Sequence, residues 1–268
     1  MNEIYKIALR AAVAGSREII KVYQEEFETI IKEDGSPLTK ADLASSSAIH
    51  NLLDPLGIPV TGEESTHLPY EIRKSWKESW CVDPLDGTKE FIRRNDEFAV
   101  NIAHIIDGNA VFGIIASPVQ EKVLFGGKSE GVFISTFDEI ENPIKWQSLP
   151  SEEHKHIGPS LKLIGSRSHG TGPLNDLLEA LKPSFSEIIF TSKGSSLKFF
   201  DLALGDVHIY PRFAPTMEWD IAAGQAIIEA LGGEVIDYHK KTPLVYNKEN
   251  LLNPYFVVSS KALRMAMA

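Results

Sequence analysis

The residue types and spacing with most capacity for chemistry fall in one stretch, Trp80-Cys81-Val82-Asp83-Pro84-Leu85-Asp86-Gly87-Thr88-Lys89-Glu90-Phe91. An apolar run suited to a buried strand ends at Asp83, which Pro84 holds extended while removing one amide donor from the loop. Asp86 follows three residues later, Gly87 admits a backbone twist that a side chain resists, and Thr88 is placed to cap a helix through Glu90, Phe91 and Ile92. Two carboxylates with the Leu85 carbonyl between them are hard oxygen donors of the kind Mg²⁺ takes. The amides at a helix start suit a phosphate oxygen. Phosphoester chemistry is the expectation. Asp-Pro and Asp-Gly are also ordinary turn formers, so the segment means little unless other residues converge on it.

Other candidates exist, each with a structural explanation beside the chemical one. Thr39 is placed as an N-cap with Asp42 at the third helical position, where Asp is favoured for structural reasons alone. Gly62-Glu63-Glu64-Ser65 ends a short strand at 58–61, and paired glutamates there are commonly just solvated. Asp220 lies in the first turn of an apolar helix that starts at Glu218-Trp219, runs through Ile227, Ile228 and Leu231, and stops at Gly232-Gly233. Gly194-Ser195-Ser196-Leu197-Lys198 opens another helix with small residues and a lysine, and Arg212 follows the next strand. Both cations could equally be solvated surface charge.

The elements that must position these residues are readable in outline. Apolar positions at helical spacing predict a packed amphipathic helix over 4–24 and another from Leu43 to Leu53, ended by Asp54-Pro55. A polar connection spans 66–79. Apolar runs at 98–106, 110–116, 122–125 and 131–134, separated by turn formers, predict an antiparallel meander. Residues 138–160 are polar; His154 and His156 there read as an exposed loop, with no third ligand nearby. From Leu161 onward strands at 161–164, 186–190 and 207–210 alternate with helices near 173–181 and 196–204, an α/β pattern. The organisation expected is an N-terminal α+β sub-domain over 1–150 with most of the acidic candidates, and a C-terminal α/β sub-domain over 151–268 with Asp220.

Length supports this, since 268 residues are long for one average domain and short for two independent ones. With 27 Lys and Arg against 37 Asp and Glu, the net charge of −10 opposes binding to nucleic acid, and an anionic substrate needs metal or a local cationic patch. Cys81, alone and inside an apolar run, reads as a buried small hydrophobe. Met1-Asn2-Glu3-Ile4 has no targeting pattern and no run is long and apolar enough to span a membrane, so a cytoplasmic protein is expected, with peripheral membrane attachment left open.

Asp42, Gly62-Glu63-Glu64-Ser65, Asp83-Pro84-Leu85-Asp86-Gly87-Thr88 and Trp219-Asp220-Ile221-Ala222-Ala223-Gly224 together resemble the inositol monophosphatase superfamily of Mg²⁺-dependent, lithium-sensitive phosphatases. Within it, Lys32-x-Asp34-x-Ser36-Pro37-x-Thr39-x-Ala41-Asp42, Gly194-Ser195-Ser196-Leu197-Lys198-Phe199 and Tyr210-Pro211-Arg212-Phe213 are similar to the CysQ-type 3′(2′),5′-bisphosphate nucleotidases. The resemblance implies a layered αβαβα sandwich. It implies hydrolysis of adenosine 3′,5′-bisphosphate to AMP and phosphate by direct attack of a metal-activated water, with the sulfated relative as a further substrate and a role in sulfur metabolism. It implies two or three Mg²⁺ ions on Glu63, Asp83, Asp86, Asp220 and the Leu85 carbonyl, with Glu64 the alternative to Glu63. Asp42 and Thr88 match the pair that activates the water. Glu63, Leu85, Asp86, Gly87, Thr88 and Asp220 would contact substrate, joined by Ser195, Ser196, Lys198 and Arg212 as candidates for the second phosphate. Monomer and homodimer both remain open, as do inositol monophosphatase or fructose-1,6-bisphosphatase activity on the same fold, and a catalytically silent metal-binding module.

Overall fold

The computed structural model describes residues 1–31, 37–149, 157–165 and 172–267. The sequence readings at Lys32, Asp34, Ser36, His154 and His156 lie outside these residues.

Two helices begin the fold. α1 (Glu3–Tyr23) and α2 (Lys40–Leu53) pack on each other through Ala8, Ala11, Ala12, Ala41 and Ile49, with the short hairpin of β1 (Thr29–Ile31) and β2 (Pro37–Thr39) between them in sequence. The Pro that ends α2 opens a 3₁₀ turn, Asp54–Leu56, in keeping with the breaker read there.

A seven-stranded sheet follows, formed by β3 (Val60–Gly62), β4 (Glu78–Asp86), β5 (Ala99–Ile106), β6 (Asn109–Ser117), β7 (Lys122–Gly127), β8 (Gly131–Thr136) and β9 (Gln147–Ser148), in that spatial order. β3 and β4 are parallel and the remaining neighbours antiparallel, so the meander read from the sequence is the body of this sheet. β5 is apolar almost throughout because both its faces are covered. Val100 and Ile102 enter the core under α1 and α2, while Ala99, Ala103 and Ile105 enter a second core on the opposite face.

That second core is filled by α6 (Lys198–Ala203) and α7 (Glu218–Ala230). Beyond them lies a mixed five-stranded sheet of β10 (Ser160–Gly165), β11 (Glu187–Ser192), β12 (Ile209–Arg212), β13 (Glu234–Asp237) and β14 (Phe256–Ser259), in the order β11-β10-β12-β14-β13. Leu161, Leu163 and Ile209 on its outer face pack with Leu181 of α5 (Gly172–Leu181) and Leu263 of α8 (Lys261–Met267). The result is five layers, αβαβα.

α7 can lie flat on the large sheet only because β6 carries Gly113: a Cβ there would stand 2.0 Å from the Ala223 carbonyl oxygen. This close approach sets the height of α7, and with it the position of Asp220. Three features differ from the sequence reading. β12 runs to Arg212 instead of ending before it, the connection over 66–79 contains α3 (Tyr70–Arg73) and the start of β4, and residues 234–267 supply two strands and a helix. Cys81 is buried, and burial pushes its thiol up, as an inert core residue requires.

Candidate active site

β4 delivers the first two carboxylates. On an unbroken strand, residues three apart point to opposite faces. Here the pairing with β5 slips between Asp83, which faces Asn101, and Asp86, which faces Ala99, so three steps on β4 oppose two on β5. Pro84 sits inside this bulge, where its missing N–H breaks no ladder bond. The extra residue turns Asp86 toward the side that Asp83 faces, and each carboxylate is anchored: Asp83 Oδ1 accepts from the Leu85 amide at 3.0 Å, and Asp86 Oδ2 from the Ser196 amide at 2.5 Å and Asn101 Nδ2 at 3.3 Å.

Asp220, the third residue of α7, accepts from the Met217 amide at 2.9 Å, the reciprocal contact of a capping residue. Glu63 follows β3, its own amide bonded to the Val82 carbonyl. The four carboxylates share one electrostatic environment. Burial pushes Asp83, 1 % exposed, well above the usual carboxylate range, and the charges of Glu63, Asp86 and Asp220 push it further. Asp220 is pushed up to about 8 by burial first, then by Asp86 and Glu63. Among the described residues no three His, Cys, Asp or Glu side chains are already drawn around one point. Like charges stand off one another, and Asp83, Asp86 and Asp220 each take a backbone amide instead. Oxygen donors, one buried and three half-buried, that raise one another's proton affinity fit a hard divalent cation.

Thr88 departs from its expected role. The N-cap of α4 (Thr88–Ile92) is Gly87, at φ 97°, and makes no side-chain capping bond. The Thr88 hydroxyl therefore points elsewhere, to Asp42 Oδ1 at 3.0 Å and the Leu85 carbonyl at 3.3 Å. Asp42 is buried in a true capping box, its Oδ2 accepting from both the Thr39 amide and the Thr39 hydroxyl at 2.7 Å. Burial raises the Asp42 pKa, the Thr39 and Thr88 hydrogen bonds oppose that rise, and Glu64 adds to it. The charge of Glu63 thus falls on Asp83 and Asp220, that of Glu64 on Asp42.

Beside the carboxylates opens a cavity of about 340 Å³ lined by Asp86, Gly87, Ser195, Ser196, Lys198, Arg212 and Asp220, among others. Its size is that of a small-molecule site. Asp42, Glu63, Glu64, Asp83 and Thr88 lie outside this lining. Lys198 is not the solvated charge that one reading of the sequence allowed. It is 4 % exposed, donates to the Ser195 carbonyl at 2.5 Å and the Lys193 carbonyl at 3.1 Å, and rests 5.1 Å from the Tyr210 ring centroid. Burial lowers its pKa to about 8 against the pull of Asp86. Ser195 adopts a left-handed φ of 45°, its hydroxyl accepting from the Leu197 amide, while the Ser196 hydroxyl donates to Asn101 Oδ1 at 2.6 Å. Arg212 is half-buried and donates to the Pro215 carbonyl at 3.2 Å.

Residues 1–266 match the inositol monophosphatase family. The chain belongs to that family. The 3′(2′),5′-bisphosphate nucleotidase CysQ of Salmonella typhimurium (strain LT2) is 40% identical over 263 residues, which cover 97% of this chain and 99% of that protein. The protein of the same description from Escherichia coli (strain K12) is 38% identical over 264 residues, with the same coverage of 97% and 99%. The crystal structure of CysQ from Bacteroides thetaiotaomicron, described as a bacterial member of the inositol monophosphatase family, superposes with a TM-score of 0.81 at 38% identity, covering 95% of this chain and 96% of that one.

Several residues of this family member's site escaped the sequence reading. Asn101 holds Asp86 and the Ser196 hydroxyl and reaches the Trp219 carbonyl at 3.4 Å; its one signal was a polar residue inside an apolar strand. Lys89 and Arg93, four apart at α4, line the cavity with Lys193, Glu90, Tyr210 and Thr216. No helix among the described residues is long and apolar enough to cross a membrane.

Proposed function

We propose that this chain is a 3′(2′),5′-bisphosphate nucleotidase that hydrolyses the 3′-phosphate of adenosine 3′,5′-bisphosphate to AMP and phosphate, with the sulfated analogue as a further substrate. The observation that carries the reading is one cavity with two kinds of wall: carboxylates at Asp86 and Asp220, and donors and cations at Ser195, Ser196, Lys198 and Arg212. A bisphosphate in a protein of net charge −10 needs both. A cytoplasmic setting, and a division into sub-domains near residue 150, belong to the same reading.

The family works with Mg²⁺. Glu63, Asp83, Asp86, Asp220 and the Leu85 carbonyl are the donors for it, and the crowding of four carboxylates suits two or three ions. When bound, Mg²⁺ supplies charge neutralisation at the phosphoryl group and a lowered pKa for water. The chain's own part in proton transfer is set by Asp42 and Thr88. Because Thr39 occupies Asp42 Oδ2 twice, Oδ1 is left to Thr88, whose hydroxyl donates to it and keeps lone pairs for a water proton. The proton passes toward Asp42, whose raised pKa makes it the better base. The amides of Gly87 and Thr88 orient the phosphoryl oxygens, the water oxygen bonds to phosphorus as the bond to the 3′ oxygen breaks in line, and that oxygen takes a proton from solvent to leave as a hydroxyl while Asp42 returns its proton to solvent. No phosphorylated side chain forms. The Asp42–Thr88 bond has no use in a silent metal-binding module.

Phosphate release with Mg²⁺ from adenosine 3′,5′-bisphosphate, inositol monophosphate and fructose 1,6-bisphosphate, measured side by side, tests this. The nucleotide should lead in kcat/KM by about tenfold or more, the worth of one hydrogen bond to a charged group. A lead for inositol phosphate or the sugar bisphosphate refutes it.

A further inference from the structure

Away from the cavity, one buried cation ties two distant parts of the chain together. Arg73 is 4 % exposed, and its five N–H donors are all committed. Nε donates to the Leu68 carbonyl at 2.9 Å, Nη1 to Asn247 Oδ1 at 2.8 Å and the Lys248 carbonyl at 3.1 Å, and Nη2 to the Lys248 and Glu249 carbonyls at 3.1 and 3.3 Å. Asn247 answers, Nδ2 donating to the Arg73 carbonyl at 2.8 Å across 174 positions of sequence.

The contact continues to α7. Asn247 sits at φ 58°, and the amides of Asn247 and Lys248 both turn onto the Glu218 carboxylate, at 2.6 and 3.1 Å, a backbone nest that cradles an anion. Lys248 Nζ closes the same carboxylate at 2.5 Å. Glu218, 1 % exposed, is the first residue of α7, and Asp220 is its third. At the other end, Arg73 closes the segment that opens at Glu63. Within it His67 Nε2 bonds the Gly62 carbonyl at 2.8 Å while its ring lies 5.3 Å from that of Trp219. Through the loop at 247–249, and directly at His67 and Trp219, these contacts link the segment after Glu63 to the start of α7, and Arg73, Asn247 and Glu218 are absent from the cavity lining.

From this we infer that Arg73, Asn247 and Glu218 form a clamp that sets Glu63 against Asp220, and that Arg73 and Asn247 are positioning residues for divalent-metal binding. The inference rests on the carboxylate donor set proposed above. The fork geometry of a guanidinium is what meets three carbonyls and an amide oxygen at once, so a lysine cannot replace it.

The test is Mg²⁺ binding to the full, substrate-free chain by calorimetry, with steady-state kinetics alongside. Arg73→Lys and Asn247→Ala should each raise the Mg²⁺ Kd by about tenfold or more, the usual effect of removing a group that orients a metal ligand. At saturating Mg²⁺ kcat should return to within about threefold of the parent, since no group that acts in the chemical step is removed. Arg264→Ala, which loosens the far end of α7 where Arg264 bonds the Gly232 carbonyl, should leave the Mg²⁺ Kd unchanged. An unchanged Kd in Asn247→Ala, or an equal rise in Arg264→Ala, overturns the clamp. If Arg73→Lys does not fold, Asn247→Ala carries the test. A parent-like Mg²⁺ Kd in Asp220→Asn would overturn the donor set itself, whatever the clamp variants do.

Discussion

The two walls of the cavity are built on opposite electrostatic terms. On one, Asp86 and Asp220 each take a backbone amide, as does Asp83 outside the lining, yet burial and mutual repulsion still hold Asp83 and Asp220 far above their ordinary pKa. On the other, the deeply buried Lys198 spends hydrogen bonds on two carbonyls and props the turn at 193–196. The first wall is poised for a counter-charge. The second is already close to satisfied, so its worth to a ligand lies in shape and field more than in a free charge. Chemistry and selectivity should therefore respond differently to substitution.

The largest effect is expected at the carboxylate wall and at Asp83 beside it. Asp83→Asn and Asp220→Asn should each cost on the order of 10³ in kcat, comparable with losing a transition-state contact to developing charge. Both should raise the melting temperature in chelator at about pH 9, where Asp220 is ionised, because each removes a repulsive charge. A lower melting temperature in chelator for both would mean that these carboxylates are held by attraction, and the contrast between the walls would collapse.

Thr88→Ala comes next, lowering kcat by about 10²–10⁴, the range for general acid–base catalysis, while KM stays nearly constant. A loss confined to KM would move Thr88 from proton transfer to binding.

On the second wall, Arg212→Ala should weaken adenosine 3′,5′-bisphosphate binding by about 1.5–3 kcal/mol and leave a small monophosphate nearly untouched. Lys198→Ala should weaken the bisphosphate comparably, but also lower the melting temperature and affect the monophosphate, because it releases the turn whose Ser196 amide holds Asp86. Equal losses on both substrates for Arg212→Ala would make that residue structural as well.

The smallest effect is one of pH. The folded pKa of Asp220, about 8, lies above its unfolded value of 3.8. The folded state then binds the proton more tightly, so this contribution to stability is complete below about pH 4 and is lost as pH rises through about 8. Melting temperatures in chelator should fall across that window. Millimolar Mg²⁺ should flatten the slope, and a slope that survives Mg²⁺ would separate the shifted carboxylates from the metal.

Much of the carboxylate wall was legible because its determinants are contiguous. Pro84, Gly87 and the three-residue spacing of Asp83 and Asp86 carry the bulge in the local chain, and Thr39 with Asp42 carries its own capping box. Even there a local rule misled: Thr88 was placed as a cap, but Gly87 took that position and freed the hydroxyl for Asp42. The second wall was less legible. Lys198 in a small-residue turn looks the same whether solvated or buried.

Sequence alone determined the main helices and strands and their order through Leu231, though not α3 or β9, together with the acidic donor types and the net charge, since periodicity, turn chemistry and net charge are properties of neighbouring residues or of sums. The tertiary structure decided what depends on surroundings. Asn101 could be recognised as a support for Asp86 only once β4, β5 and the turn before α6 met, and Arg73 only once Asn247 reached it from 174 residues away. The physical reason is that a pKa, a buried charge and a hydrogen-bond partner are set by what lies across space, and desolvation by distant parts of the chain leaves no local pattern to read.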